Sequence, residues 1–153
     1  KTFQLHKVFM AIYRNKSTKV EIQMCAMKSL YPQFKVTKKS SNEVKFVGEL
    51  QPKPEFRKFK VEITYCGNLR PKVKILSPQL VDKPPHFYEK TETLCLYHPK
   101  DFNWSKDKLI AKYILPITSA WLYFYEVWLE TDIWYGPEAS HDNIKNDNDE
   151  KTI

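Results

Sequence analysis

The sequence predicts an α+β domain, with an N-terminal helix, a four-stranded antiparallel meander, a long ordered loop and a helical C-terminal part. Three observations carry this prediction. Glu21–Leu30 has helical spacing with no internal proline or glycine. The hydrophobic period then shortens to two in four successive segments. After a long aperiodic stretch, three- and four-residue spacing returns beyond Ser105. The 153 residues, 42% of them hydrophobic, suffice for one domain with a real core and are too few for two.

In "EIQMCAMKSL" the residues Ile22, Cys25, Ala26, Ser29 and Leu30 fall on one helical face, and Pro32 stops the helix. The segments "FKVTKK", "EVKFVGEL", "FKVEITYC" and "PKVKIL" are short and rich in valine, isoleucine and phenylalanine, which alternate with lysine or glutamate. Breaks at Ser40–Asn42, Gln51–Glu55 and Gly67–Pro71 have hairpin length. Such a sheet is apolar on one face only, and the flanking helices are the available cover. From Ser77 to Trp104 no period holds, yet Phe87, Tyr88, Leu94, Leu96, Tyr97, Phe102 and Trp104 argue for order. Ser105 is then the expected N-cap of a helix with Asp107 and Lys108 in its first turn. Its inward stripe is Ile110, Ile114, Ile117, Trp121, Phe124 or Tyr125, and Trp128. Pro116 is expected to kink or divide it. Residues 1–141 are read as a single domain and 142–153, "DNIKNDNDEKTI", as a disordered polar tail.

The formal charge of +7 favours anionic partners. Lys38, Lys39, Lys53, Lys58, Lys60, Lys72 and Lys74 are scattered, however, which fits a solvated surface better than a phosphate-tracking one. Cys25, Cys66 and Cys95 cannot all pair, and none has C-x-x-C spacing, so neither a disulfide framework nor a metal site is expected. Cys25 and Cys66 read as small core residues, and Trp104, Trp121, Tyr125 and Trp128 as core aromatics whose polar atoms find partners. No secretory leader is visible, and the run from Tyr113 to Leu129 contains Pro116 and Glu126 and is too short for a bilayer. A cytoplasmic protein with no membrane partner and no cofactor is the expectation.

The order of parts resembles the ubiquitin-conjugating (UBC) fold. "PKVKILSP" is similar to that family's fourth strand, "LCL" at Leu94–Leu96 to the strand around its catalytic cysteine, and "NWS" at Asn103–Ser105 to the step into its next helix. The likeness spans roughly Glu21 to Leu129. More narrowly, "HFYEKTETLCLYHPKDFNW", "ILPITSAWLYFYEVWLET" and "WYGPEASH" resemble the stand-alone UBC-like proteins of bacterial cyclic-oligonucleotide-based antiphage signalling (CBASS) operons. The resemblance implies a partner cyclic-oligonucleotide synthase, a nucleotidyltransferase whose C-terminal tail takes the place of ubiquitin's tail. The acceptor of that tail is unknown.

Cys95 is the candidate acyl carrier, because a thiolate both accepts an acyl group from an activated carbonyl and releases it again. That role requires its sulfur at the surface, presented by the aromatic-walled loop. Donors near the carbonyl oxygen then matter more than a strong base. The eukaryotic UBC pattern places histidine-proline-asparagine upstream of the cysteine, where this chain has Pro85-His86-Phe87, and His86 is the candidate donor. His98, Asp132 and Trp104 are candidate supporting residues, Asp132 through orientation of an incoming amine. Trp134, Tyr135 and His141 are candidate partner contacts. Two other readings stand beside the conjugating enzyme: a non-catalytic UBC-like scaffold that regulates the synthase, motivated by the missing asparagine, and a nucleic-acid-binding domain, motivated by charge alone.

Overall fold

The period-two segments pair in the order in which they occur. In the computed structural model, which describes residues 19–67 and 69–137, helix α1 (Lys19–Leu30) precedes strands β1 (Lys35–Lys39), β2 (Glu43–Leu50), β3 (Phe59–Cys66) and β4 (Lys72–Ser77), which form one antiparallel sheet. A hairpin of β5 (Phe87–Tyr88) and β6 (Thr93–Leu94) follows, then helix α2 (Ile110–Thr131). The tail 142–153 and His141 lie outside the described residues.

Register converts the alternation into a core. Val44 faces Tyr65, Phe46 faces Ile63 and Leu50 faces Phe59 across β2 and β3, and Val73 adds to the same face from β4. Each of these side chains is buried, and burying one of this size contributes about 1.5–3 kcal/mol. Gly48 sits among them because a Cβ there would stand 2.6 Å from the Phe34 ring, so its absence lets Phe34 close the sheet's edge. The opposite face carries Lys45, Glu62 and Lys74, with a Lys45–Glu62 ion pair at 3.7 Å. β1 is exposed along its whole length.

The two helices cover the apolar face, but α1 is turned from the expected orientation. Val20, Gln23, Ala26 and Met27 point inward, whereas Cys25, Ser29 and Leu30 are exposed and Ile22 is half-buried. Gln23 is the cause. Its Nε2 donates to the Lys108 carbonyl at 2.8 Å, and its Oε1 accepts the Ile110 amide at 2.9 Å. A polar residue is thus drawn inside because it satisfies the start of α2.

That start also differs from expectation. Ser105 caps no helix; its carbonyl accepts the Lys108 amide at 3.0 Å in a separate turn, and α2 begins at Ile110 without a side-chain cap from its own N-cap residue, Leu109. Ile110, Ile114, Trp121 and Tyr125 are buried as the spacing predicts. Ile117, Phe124 and Trp128 are only half-buried, and Ala111, Leu115, Thr118 and Leu122 take the inner positions instead. Thr118 is tolerated there because its hydroxyl donates to the Ile114 carbonyl at 2.7 Å. Pro116 does not divide the helix. It and Lys112 are exposed, so the Lys112 carbonyl that lacks its i+4 amide partner faces water.

Candidate active site

A short ladder places Cys95. Phe87 pairs with Leu94 and Tyr88 with Thr93, and the Cys95 amide extends the ladder by donating to the His86 carbonyl at 2.8 Å. The tight connection uses Glu92 at φ 55°, and the Thr91 and Thr93 hydroxyls share a hydrogen bond at 2.7 Å. β6 packs beside β4, which joins this hairpin to the main sheet.

The His86 carbonyl has a second donor, the Trp121 Nε1–H of α2, at 3.0 Å. His86 is itself 8% exposed and adopts a left-handed φ of 50°. Its ring lies 4.8 Å from that of Trp134, which in turn packs 5.8 Å from both Trp121 and Phe124. Gly136 permits this return of the chain, since a Cβ there would stand 2.7 Å from Phe124 Cδ2 and 2.8 Å from Trp134 Nε1. The candidate residues Cys95, His86 and Trp134 are therefore brought together, with Trp121 as the pin between them.

Cys95 is not displayed at the surface as expected. It is a free thiol, 5% exposed, and Cys25, read as a core residue, is the exposed one. The hairpin explains the difference: Cys95 follows β6 directly and continues its pairing with the segment before β5. Tyr88 and Cys95 share one side of the hairpin, Tyr88 opposite Thr93 and Cys95 two residues beyond it. Burial first, then the neighbouring Cys95, raise the Tyr88 pKa, while Arg70 pulls it down. Tyr97 is raised by burial, again against Arg70 and with a smaller push from Cys95. Tyr88, Tyr97 and Arg70 were not singled out from the sequence as site residues. The available signal for Tyr88 was its placement in the loop upstream of Cys95, which becomes a cross-strand relation only once the hairpin register is known.

The other candidates sit apart from this cluster or have structural work. His98 anchors a turn: its Nδ1 accepts the Lys100 amide at 3.0 Å and its carbonyl accepts the amides of Asp101 and Phe102 at 2.9 and 3.1 Å. Asp132 is the exposed C-cap of α2, at φ 58°, with its amide donating to the Trp128 carbonyl. Trp104 is half-buried edge-on against Tyr65 at 6.1 Å, and its Nε1–H has no hydrogen-bond partner among the described residues, unlike Trp121 and Tyr125, whose polar atoms are paired. The aromatic edge contact, worth about 0.5–1.5 kcal/mol, is what holds its ring there. Tyr135 is 61% exposed. Cys66 is half-buried at the end of β3. A cavity of about 320 Å³ opens between the start of α1 and the β1–β2 and β3 ends, lined by Lys19, Val20, Ser41, Asn42, Tyr65 and Gly67; no candidate site residue lines it.

The family model described as type II CBASS E2 protein matches residues 23–142. The chain belongs to that family. The match takes in most of α1, the whole sheet, the Cys95 hairpin and α2, so the arrangement described above is that of a CBASS E2-like protein with an α+β, UBC-like order of elements. No curated protein matches the chain. Among the described residues of this E2-like protein no helix is long and apolar enough to cross a membrane, and no three or more His, Cys, Asp or Glu side chains are grouped to hold a metal ion.

Proposed function

We propose that this E2-like protein carries the C-terminal tail of a cyclic-oligonucleotide synthase on Cys95 and transfers it to an amine. The Cys95 thiolate attacks the activated carbonyl of the tail, a C–S bond forms and the activating group leaves with its electron pair. An amine then attacks the thioester, a C–N bond forms, the thiolate departs and the amine's proton passes to solvent. The activated tail is supplied from outside these 153 residues, which hold no Gly-rich nucleotide loop. The observation that carries the reading is the family membership together with the one cysteine of this chain that is held in a fixed hairpin among polar aromatic groups.

The test is co-expression and purification with a cyclic-oligonucleotide synthase of a CBASS operon, followed by intact-mass measurement. Wild-type protein and Cys25→Ala should yield the same covalent adduct, and Cys95→Ala none. Hydroxylamine should release a thioester, whereas release by reductant alone marks a mixed disulfide and overturns the acyl-transfer reading. The 5% exposure of Cys95 favours a second reading, a regulatory scaffold for the synthase. In that case Cys95→Ala retains full complex formation and full effect on the synthase.

A further inference from the structure

We infer that Trp121 is a positioning residue for transfer: through the carbonyl of His86, helix α2 sets where the Cys95 sulfur stands. The inference rests on the acyl-transfer reading for its reaction, while the contacts behind it are independent of that reading.

The β5–β6 hairpin has only two paired positions, and a two-stranded hairpin of that size is marginal without outside support. β6 leans on β4, but Cys95 lies just past the end of β6, where the ladder is continued by the hydrogen bond from the Cys95 amide to the His86 carbonyl at 2.8 Å. The acceptor end of that bond stands on strained backbone, since His86 has a left-handed φ of 50° that a non-glycine residue keeps only when its surroundings impose it. Trp121 reaches the same carbonyl. Its Nε1–H donates there at 3.0 Å from the buried face of α2, and a carbonyl oxygen has room for both donors.

The indole is itself held in place. It stacks on Tyr125 with ring centroids 5.3 Å apart and planes 12° from parallel, and Trp134 packs 5.8 Å from it while facing the His86 ring at 4.8 Å. Tyr125 also binds the loop that leads into β5, its hydroxyl accepting the Val81 amide at 2.9 Å. One turn of α2 therefore grips this loop at Val81 and at His86, and the strand edge that aligns the cysteine moves with the helix.

The consequence for the chemistry is one of distance. Attack on a carbonyl needs the reacting atoms about 3–3.5 Å apart and aligned, and a displacement of about 1 Å can slow such a step about a hundredfold. Loosening the hairpin also uncovers a cysteine that is 5% exposed. Loss of the Trp121 N–H therefore does opposite things to two reactions of one sulfur: a small alkylating agent gains access, whereas transfer, which needs alignment, slows.

Trp121→3-benzothienylalanine isolates the N–H, because it puts sulfur in place of the indole nitrogen and keeps the shape of the ring. It is made in the full-length chain, with Gln23→Ala as the comparison that weakens the fold at the start of α2 without touching His86. The acyl donor is a synthetic peptide with the C-terminal sequence of a CBASS synthase, prepared as the thioester of a small thiol. The Cys95 thiolate displaces that thiol as thiolate, one C–S bond forming as the other breaks, and site-resolved mass spectrometry follows the Cys95 adduct against Cys25 as background. The rate at saturating peptide should fall about 10- to 100-fold in the Trp121 variant, with the half-saturating concentration within about twofold of wild type and Gln23→Ala unchanged in both. The iodoacetamide alkylation profile of Cys95 should rise about tenfold in the same variant, with that of Cys25 unchanged.

Where wild-type protein forms the Cys95 adduct, transfer decides. A saturating rate equal to wild type, a loss confined to the half-saturating concentration, or an equal loss in Gln23→Ala leaves acyl transfer standing and overturns the role of Trp121, the last because stability alone then explains it. Where wild-type protein forms no adduct, acyl transfer fails and alkylation decides: a faster Cys95 rate in the Trp121 variant sustains the hold of α2 on the cysteine, and an unchanged one ends it.

Discussion

Helix α1 and the β5–β6 hairpin each present a cysteine, and they do so in opposite ways. Cys25 is a free thiol exposed on the surface of a helix. Cys95 is buried, its amide is tied to His86, and it shares one side of the hairpin with Tyr88. Access and chemical setting are therefore separated in this fold: the exposed thiol lies on an open helix face, and the thiol of the aromatic hairpin is covered. Acyl transfer needs both, since the sulfur must be reached before the groups around it can act on its adduct.

Native-state alkylation breaks or sharpens this contrast most directly. Cys25 should react about a hundredfold faster than Cys95 in folded protein, and urea should equalise the two, as read by site-resolved mass spectrometry. Comparable native rates would mean that the hairpin does not cover Cys95 in solution. Trp121 is the next point of attack, because it packs in the core and pins His86. Trp121→Ala should cost about 3–5 kcal/mol in a urea titration. Trp121→Phe, which loses only the N–H, should cost about 1–2 kcal/mol and raise Cys95 alkylation toward that of Cys25. On the other helix, Gln23→Ala removes both bonds to the start of α2, for a loss of about 1–3 kcal/mol with no change in the Cys95 profile. The smallest effect is expected from Arg57→Ala, which breaks the 2.8 Å ion pair to Glu126 at the surface and should cost about 0.5 kcal/mol.

Burial raises the pKa of Tyr65, Tyr88 and Tyr97 alike. Each binds its proton more tightly folded than unfolded, so its contribution is complete below the unfolded value of about 10 and is lost as pH rises through the folded value. Urea midpoints should therefore not move on account of these groups up to about pH 9, and should fall above about pH 10.

The strands were legible because their signal is local. Alternation in "EVKFVGEL" and "FKVEITYC" names both the element and its buried face, and the bounds of β2 and β3 are those of the quoted segments. The helix faces were less legible, for a physical reason that Gln23 and Cys25 show together. Polarity argues Gln23 outward and Cys25 inward, and only the presence of α2, far along the chain, reverses the two. Ser105 failed as an N-cap through the same contact, because a distant amide does what a local hydroxyl was expected to do. At the site, Cys95 and His86 were found by motif and are neighbours, with Trp134 beside them. Tyr88 escaped notice because strands of two residues are too short for a period to be read.

The pair of hydrogen bonds made by Gln23 has one more effect, on how the domain comes apart. The first amide of α2 is held by a side chain 87 positions upstream, so the two helices form one cooperative unit rather than two that fray separately. In hydrogen exchange the Ile110 amide should open only when α1 does, making a single proton in the C-terminal half a reporter for the unfolding of the N-terminal one.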